Sequence, residues 1–446
     1  METKPNLRFW PLWNMSFGFM GVQVGYALQN ANTSRLLQSL GADVHELSYF
    51  WLAPPLAGLI VQPLVGLFSD GTWTRVGRRI PFILGGAVLA ALTLLLMPNA
   101  ELFVTLMAPL AFAAIMLLFM DMSFNVTMQP FRALVADMLN DSQKTKGYSV
   151  QTFLINCGAV IGSVLPFVLV HWFGLSNRST PEARIPESVI WSYYIGGALL
   201  LITVLVTAVK TREYPPAQFL KYRRQTAPSA RPGLGELIRG VPKVMLQLGV
   251  VQFFSWSALF LLWTYTTPAI AANVWATDEI ASAAYHNAGD WVGILFGVYA
   301  VFAGLFSIVI PRLSRRCGNK AVYSASLLCG AAGYLGLALL HDQWLLLLPM
   351  LGVGIAWGAI LALPYSILSK SVQEERMGVY MGVFNFTITL PQICCGLIGG
   401  TIVSYFFHGS AVAMIMVAAG CMAAAALSVA IVQEKKGACA VRRDEK

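Results

Sequence analysis

Twelve stretches of about twenty mostly apolar residues follow one another along this chain. They lie at about 11–31, 48–69, 81–98, 102–136, 147–172, 189–209, 244–271, 291–310, 321–340, 344–368, 378–405 and 410–432. A hydrocarbon core about 30 Å thick is crossed by roughly 20 helical residues. Backbone amides in lipid must find partners within their own segment, so runs this long and continuous are helices, not the ~10-residue strands of a barrel. The charge content agrees. Only 11% of the residues are charged and 57% are hydrophobic, whereas a soluble domain carries about 25% charged residues. The expectation is an all-α polytopic membrane protein with 12 transmembrane helices in two six-helix halves.

Basic residues set the orientation. With the N-terminus in the cytoplasm, the outer loops hold only Arg35, Arg178 and Arg184 of the 30 Lys and Arg residues. That is the bias expected of cytoplasmic loops, so both termini are placed in the cytoplasm. The formal net charge of +9 is then explained by the inner surface, without a nucleic-acid partner. The longest gap, 210–243, contains Pro215, Pro216, Arg223, Arg224, Arg231 and Pro232 and reads as a basic linker held near an anionic leaflet. It divides the chain into an N-terminal half, 1–209, and a C-terminal half, 244–433, followed by a tail at 434–446. The first apolar stretch lacks a cleavage site and is read as a retained span. The seven cysteines form neither a disulfide framework nor a metal spacing.

The halves repeat. Gly66-Leu-Phe-Ser-Asp70 and Arg75-Val-Gly77-Arg78-Arg79 have a degenerate counterpart in Arg312-Leu-Ser-Arg315-Arg316-Cys-Gly318-Asn-Lys320. Gln129-Pro130-Phe131, followed by Gly147 to Phe153, corresponds to Leu363-Pro364-Tyr365, followed by Gly378 to Phe384. Parallel six-span repeats place a binding site between halves near the bilayer midplane.

Asp121 is the charged residue deepest within a span. An aspartate at mid-bilayer costs about 2.5–3.5 kcal/mol on insertion scales, so it faces a cavity or a partner. A carboxyl that alternates between charged and neutral is what proton coupling requires; a structural carboxylate bonded to neighbouring helices is the plainer alternative. Asp121, Asn125, Gln129 and Arg132 are spaced i, i+4, i+8 and i+11, along one stripe of a helix. Asp121 and Arg132 are about 16 Å apart along the axis, too far for a direct ion pair. Gln23, Gln29, Asn30 and Asn32 in the first span, Gln151 and Asn156 in the fifth and Asn385 in the eleventh add amides that can pair with hydroxyl groups or bind helices together. Trp256, Trp263, Tyr265 and Trp357 offer rings to the C–H face of a sugar, or simply pack. Asp70, Arg75, Arg78, Arg79 and Asp137 gather at the cytoplasmic ends of spans two to four and read as a charge network that ties helix ends together.

Several of these segments resemble one family. Gly21 to Gln29, Leu59 to Gly66, Ser69-Asp70 and Arg75-x-Gly-Arg-Arg79-Ile-Pro81 are similar to the first three spans of the sucrose:proton symporters. So is Asp121-x3-Asn125-x4-Pro130-x-Arg132-Ala133-Leu134-x-Ala136-Asp137 in the fourth. These are glycoside–pentoside–hexuronide:cation symporters of the major facilitator superfamily. Trp263-Thr-Tyr-Thr-Thr-Pro268 and Gly352-x-Gly354-Ile-Ala-Trp357-Gly-x-Ile-x3-Pro364-Tyr365 most resemble bacterial maltose/sucrose members. The resemblance covers essentially the whole chain. It implies the major facilitator fold and a proton-coupled symporter that imports a disaccharide or other α-glucoside by alternating access.

In that family the carboxyl matched by Asp121 is tied to both proton and sugar, the position of Arg132 is required for coupling, and the network of Asp70, Arg75, Arg78, Arg79 and Asp137 is a cytoplasmic gate. The substrate residues expected here are Gln23, Asn30, Asp121, Asn125, Gln129, Gln151, Trp357 and Asn385. A histidine of the plant proteins is replaced by Val44, with His45 one residue on, and its role is not carried over. The expected partners are a small sugar, a proton as coupling ion with no other cofactor, and the lipid of a cell inner membrane, with the chain a monomer. Sodium coupling, uncoupled facilitation or export, and a non-transporting sensor remain the alternatives. No nucleophile–base set, metal spacing or phosphate loop points to an enzyme.

Overall fold

The computed structural model describes residues 4–40, 53–176, 185–222, 240–277, 283–372 and 377–433. Val44, His45, Arg178, Arg184 and most of the basic linker lie outside the described residues. The described chain is mostly helical, with one isolated bridge between Thr74 and Gly77. The helices are α1 Phe9–Ser39, α2 Ala53–Gly71, α3 Ile80–Leu96, α4 Pro109–Met138, α5 Asp141–His171, α6 Glu187–Lys210 and the short α7 Pro216–Tyr222. There follow α8 Lys243–Trp275, α9 Ala283–Cys317, α10 Asn319–Leu339, α11 Leu347–Ser371, α12 Met377–Phe384, α13 Phe386–Phe407 and α14 Ala411–Ser428.

Local chemistry sets several boundaries. Pro81 and Pro109 stand in the first turns of α3 and α4, where a missing N–H costs nothing and the fixed φ suits a helix. The Ser410 hydroxyl accepts from Ala413 N at 3.3 Å and caps α14. Gly318, at φ +84°, turns the chain from α9 into α10.

Ten helical segments among the described residues are long and apolar enough to cross a membrane. The first two expected spans are covered by α1 and α2 but are not among the ten. Amides dilute the hydropathy of α1, and the described side chains of α2 give a shorter apolar helix, Ala57–Gly71. One expected span needs correction. The stretch read as one span over 102–136 is a 3-10 turn at Met97–Phe103 followed by α4, because Pro109 starts a new helix. The stretch expected as one span over 378–405 holds one membrane-crossing segment, Met377–Gly399, with a one-residue break at Asn385, whose N–H turns back to Gly382 O at 3.0 Å, between α12 and α13.

The chain divides into two compact units. The first comprises Met1–Asn140, Leu154–Arg231 and Gln373–Asn385; the second comprises Asp141–Phe153, Pro232–Val372 and Phe386–Lys446. Within the first, α1 packs on α6 and α4, α3 on α4, and α2 on both α4 and α12. At Gly21 the close approach of α1 to α6 leaves no room for a side chain: a Cβ there would stand 2.7 Å from the Leu200 backbone. The Thr207 hydroxyl fastens the same pair, donating to Asn14 O at 2.7 Å and accepting from Gly18 N at 2.8 Å. Within the second unit, α8 packs on α14 and α13, α11 on α9 and α10, and α10 on α14. There Lys144 Nζ donates to Ser369 O, at the end of α11, at 2.7 Å, and the Thr145 and Ser366 hydroxyls lie 2.7 Å apart.

Candidate functional site

Helix α4 carries the polar stripe expected from its spacing, and Asp121, Asn125 and Gln129 each meet a different element of the first unit. Asp121 is 1% exposed. Gln29 Nε2, on α1, donates to its Oδ1 at 2.7 Å. One turn on, Asn125 Nδ2 donates to Asp121 O at 2.8 Å, which turns its Oδ1 outward to accept from Gln62 Nε2 of α2 at 2.5 Å. Asn385 flanks the same place: a Cβ built on Gly58 would stand 3.1 Å from Asn385 Nδ2 and 3.4 Å from Asn125 Oδ1. Another turn on, Gln129 Nε2 donates to the Gly378 carbonyl on α12.

Each pairing spends one of an amide's two N–H groups and leaves acceptors unmet. Asp121 Oδ2, Gln29 Oε1, Gln62 Oε1 and Gln129 Oε1 are all buried with no hydrogen-bond partner among the described residues. A buried unsatisfied polar atom costs about 1–3 kcal/mol. Four acceptors in one unit therefore constitute a demand for donors, of a kind that hydroxyl groups or a proton can meet.

The charge network is built at the other end of α4. Arg79 is fully buried. Its Nη2 meets Asp70 Oδ1 at 2.5 Å, its Nε meets Asp137 Oδ2 at 2.8 Å, and its Nη1 donates to Ser69 Oγ at 2.5 Å. Arg78 Nη2 shares Asp137 Oδ2 at 2.8 Å, and its guanidinium stands 4.6 Å from the Phe219 ring centroid. Asp70 does a second job: its two oxygens accept from Gly378 N at 3.0 Å and Val379 N at 2.9 Å, the first free amides of α12. A carboxylate there satisfies orphan N–H groups and complements the helix dipole. Arg75 is exposed, beside the Thr74–Gly77 bridge.

Glu213 joins this network without having been singled out by the sequence. Its Oε1 accepts from Arg79 N at 2.8 Å and Ile80 N at 2.9 Å, capping α3 from 133 residues away. Burial pushes its carboxyl up, against the lowering pull of the Ile80, Arg79 and Arg78 amides. Glu213→Ala is expected to cost about 1–2 kcal/mol, the upper range for a lost cap. Glu213→Gln, which keeps an acceptor, should lose less. Thermal unfolding of the purified chain checks both, and equal stability of the two variants would refute the cap.

The other expected residues are more dispersed. Gln23 is half-buried and Asn30 exposed, on α1, and Arg132 is half-buried on α4. Gln151 and Trp357 belong to the second unit. The partners Gln29 and Gln62 had weaker signals: Gln29 was one amide among four in the first span, and Gln62 stood beside Pro63 inside an apolar run.

The chain matches the family described as MFS/sugar transport protein over residues 35–431. It is 26% identical over 440 residues to the sucrose transport protein SUC4 of Arabidopsis thaliana, covering 90% of this chain and 85% of that protein. It is 27% identical over 263 residues to the general alpha-glucoside permease of Schizosaccharomyces pombe, covering 57% and 46%. Among solved structures it is similar to the E. coli fucose:proton symporter FucP, with a TM-score of 0.72 at 14% identity over 96% of this chain and 99% of that one. The proton:xylose symporter XylE gives a TM-score of 0.69 at 13% identity over 95% and 96%. These two likenesses show the fold, which is that of the major facilitator superfamily.

Proposed function

This chain is a sugar transporter belonging to the MFS/sugar transport protein family, and we propose that it imports a disaccharide or another α-glucoside, maltose or sucrose foremost, together with a proton. The observation that carries the reading is Asp121: buried, held through one oxygen by Gln29, and with its second oxygen unpaired beside a column of amide acceptors. An isolated buried carboxylate is costly, and protonation or a bound hydroxyl relieves that cost. A proton on Asp121 Oδ2 and sugar hydroxyls against Asn125, Gln129, Gln62 and Asn385 would each stabilise the other, which is the reciprocity that coupling requires.

In this reading two six-helix halves, joined by the 210–243 linker, expose the site alternately to the two sides of a cell inner membrane, with both termini in the cytoplasm and the chain a monomer. Gln23, Asn30, Gln151 and Trp357 complete the sugar site. Arg132, too far along α4 to pair with Asp121 directly, takes part in coupling through the ligand, water or the movement of the halves. The bonds of Asp70 to the α12 amides, braced by Arg78, Arg79 and Asp137, hold the cytoplasmic side shut and break when it opens; Arg75 lies at its rim. The relatives named for sucrose and alpha-glucoside transport support the choice of sugar.

Proteoliposomes test the reading. An inward proton gradient is expected to drive accumulation of labelled maltose or sucrose, and a protonophore to abolish it. Accumulation driven by sodium at fixed pH would overturn proton coupling. Protonophore-insensitive equilibration would make the chain a facilitator.

A further inference from the structure

Three indoles meet in the second unit. Trp256 and Trp263 lie two turns apart on α8, and Trp357 reaches them from α11. Their ring centroids are 5.7 Å (Trp256–Trp357), 5.9 Å (Trp263–Trp357) and 6.2 Å (Trp256–Trp263) apart, all edge to face. Gly354 and Gly358 lie on either side of Trp357 along α11 and allow close approach to α9: a Cβ on Gly354 would stand 2.6 Å from Tyr299 O, and one on Gly358 2.9 Å from Ala303 O. That approach seats Trp357 against α8.

Two features set this cluster apart from ordinary packing. The first is depth. Tryptophan in membrane proteins concentrates at the two interfaces. Trp256 stands thirteen residues into α8, about 20 Å from the start of a helix about 50 Å long, and Trp357 stands about 15 Å into α11. The same unit shows the ordinary arrangement for comparison. Trp291 and Trp344 pair at 4.9 Å, one at the start of the apolar span Trp291–Cys317 within α9 and the other just before α11, and Trp291 Nε1 donates to Gln343 O at 2.9 Å.

The second feature is an unmet donor. Trp263 Nε1 donates to Tyr299 Oη at 3.3 Å. Trp256 Nε1 has no acceptor among the described residues, although Trp256 is only 8% exposed. Indole N–H groups usually find a partner when buried. Trp263 meanwhile keeps 37% of its surface open, and Trp357 is half-buried.

We infer that Trp256, Trp263 and Trp357 form a cradle for one pyranose ring, in which indole faces take the apolar C–H face of the sugar and Trp256 Nε1 donates to one of its oxygens. A purely apolar ligand would leave that N–H unmet, and a cation would be repelled by it. A sugar ring presents both the apolar face and the acceptor. This inference rests on the sugar reading above and adds to it two residues, Trp256 and Trp263, and the direction of one hydrogen bond.

Equilibrium binding of radiolabelled maltose and sucrose to the purified full chain is the test, with thermal unfolding to confirm that each variant is folded. Trp256→Phe keeps a ring and removes the N–H. It is expected to weaken binding of the transported sugar about tenfold, the loss of one hydrogen bond. Trp357→Leu is expected to weaken it further, and Trp291→Phe to leave it unchanged. Among monodeoxy analogues of the bound sugar, the one lacking the accepted hydroxyl should bind wild type and Trp256→Phe equally. If wild type binds either sugar and both Trp256→Phe and Trp357→Leu bind it within twofold of wild type, the cradle is wrong and the sugar reading stands. If wild type neither binds nor accumulates either sugar, both fall together.

Discussion

Replacing Asp121 with Asn is expected to leave the fold intact and to abolish uphill transport. Asn is nearly isosteric with Asp and still presents an Oδ1 to Gln29 Nε2, which approaches the native oxygen at 2.7 Å. Removing a charge that is 1% exposed relieves a desolvation cost, so the variant should be at least as stable as wild type. What it lacks is a group that binds and releases a proton. In proteoliposomes with an imposed proton gradient, the accumulation ratio of the transported sugar should fall to about one, because the coupling free energy between sugar and proton has no carrier. Counterflow of sugar between equal proton concentrations should persist, since Asn125, Gln62 and Gln129 are untouched. Concentrative uptake by Asp121→Asn would sink the coupling role of this residue, however well the variant folds.

Asp121 was legible in the sequence because membrane burial makes any charge conspicuous. An aspartate flanked by Phe119, Met120, Met122 and Phe124 has no apolar reason to be there. The spacing of Asn125 and Gln129 along the same helix follows from a 3.6-residue period and needs no further structure. The partners were less legible. Gln29 reaches Asp121 across 92 residues and Gln62 reaches Asn125 across 63, and no local rule selects one amide among several to receive such a bond.

The same limit explains Glu213. It follows a basic span end and precedes Pro215-Pro216, so locally it reads as part of a solvated linker. Only the return of the chain beneath α3 makes it a cap. The break at Asn385 was hidden for a different reason, since the residues on both sides of it are apolar enough to continue as one span. The gathering of Asp70, Arg78, Arg79 and Asp137 was anticipated as a network, but which carboxylate Arg79 grips with which nitrogen depends on how the ends of α2, α3 and α4 converge.

That grip leads to the second large effect. Arg79→Leu is expected to destabilise the protein by about 3–5 kcal/mol, the range for removing one partner of a buried ion pair. Arg79 is fully buried and serves Asp70, Asp137 and Ser69 at once. Arg78 keeps its own 2.8 Å contact with Asp137 but stands 3.9 Å from Asp70, so Asp70 is the carboxylate left without a close cation. Asp70 in turn holds the first amides of α12, and the loss should spread to that helix as faster hydrogen exchange at Gly378 and Val379. Arg79→Lys should recover little, because an ammonium is a point charge and cannot span three acceptors placed for a planar fork. If the damage comes from a stranded charge, removing that charge must repair part of it. Arg79→Leu combined with Asp70→Asn should therefore unfold at a higher temperature than Arg79→Leu alone, while Asp70→Asn by itself, which leaves Arg79 its bond to Asp137, should be the mildest of the three. A double variant no more stable than Arg79→Leu would show that the arginine matters for its volume and not for its charge.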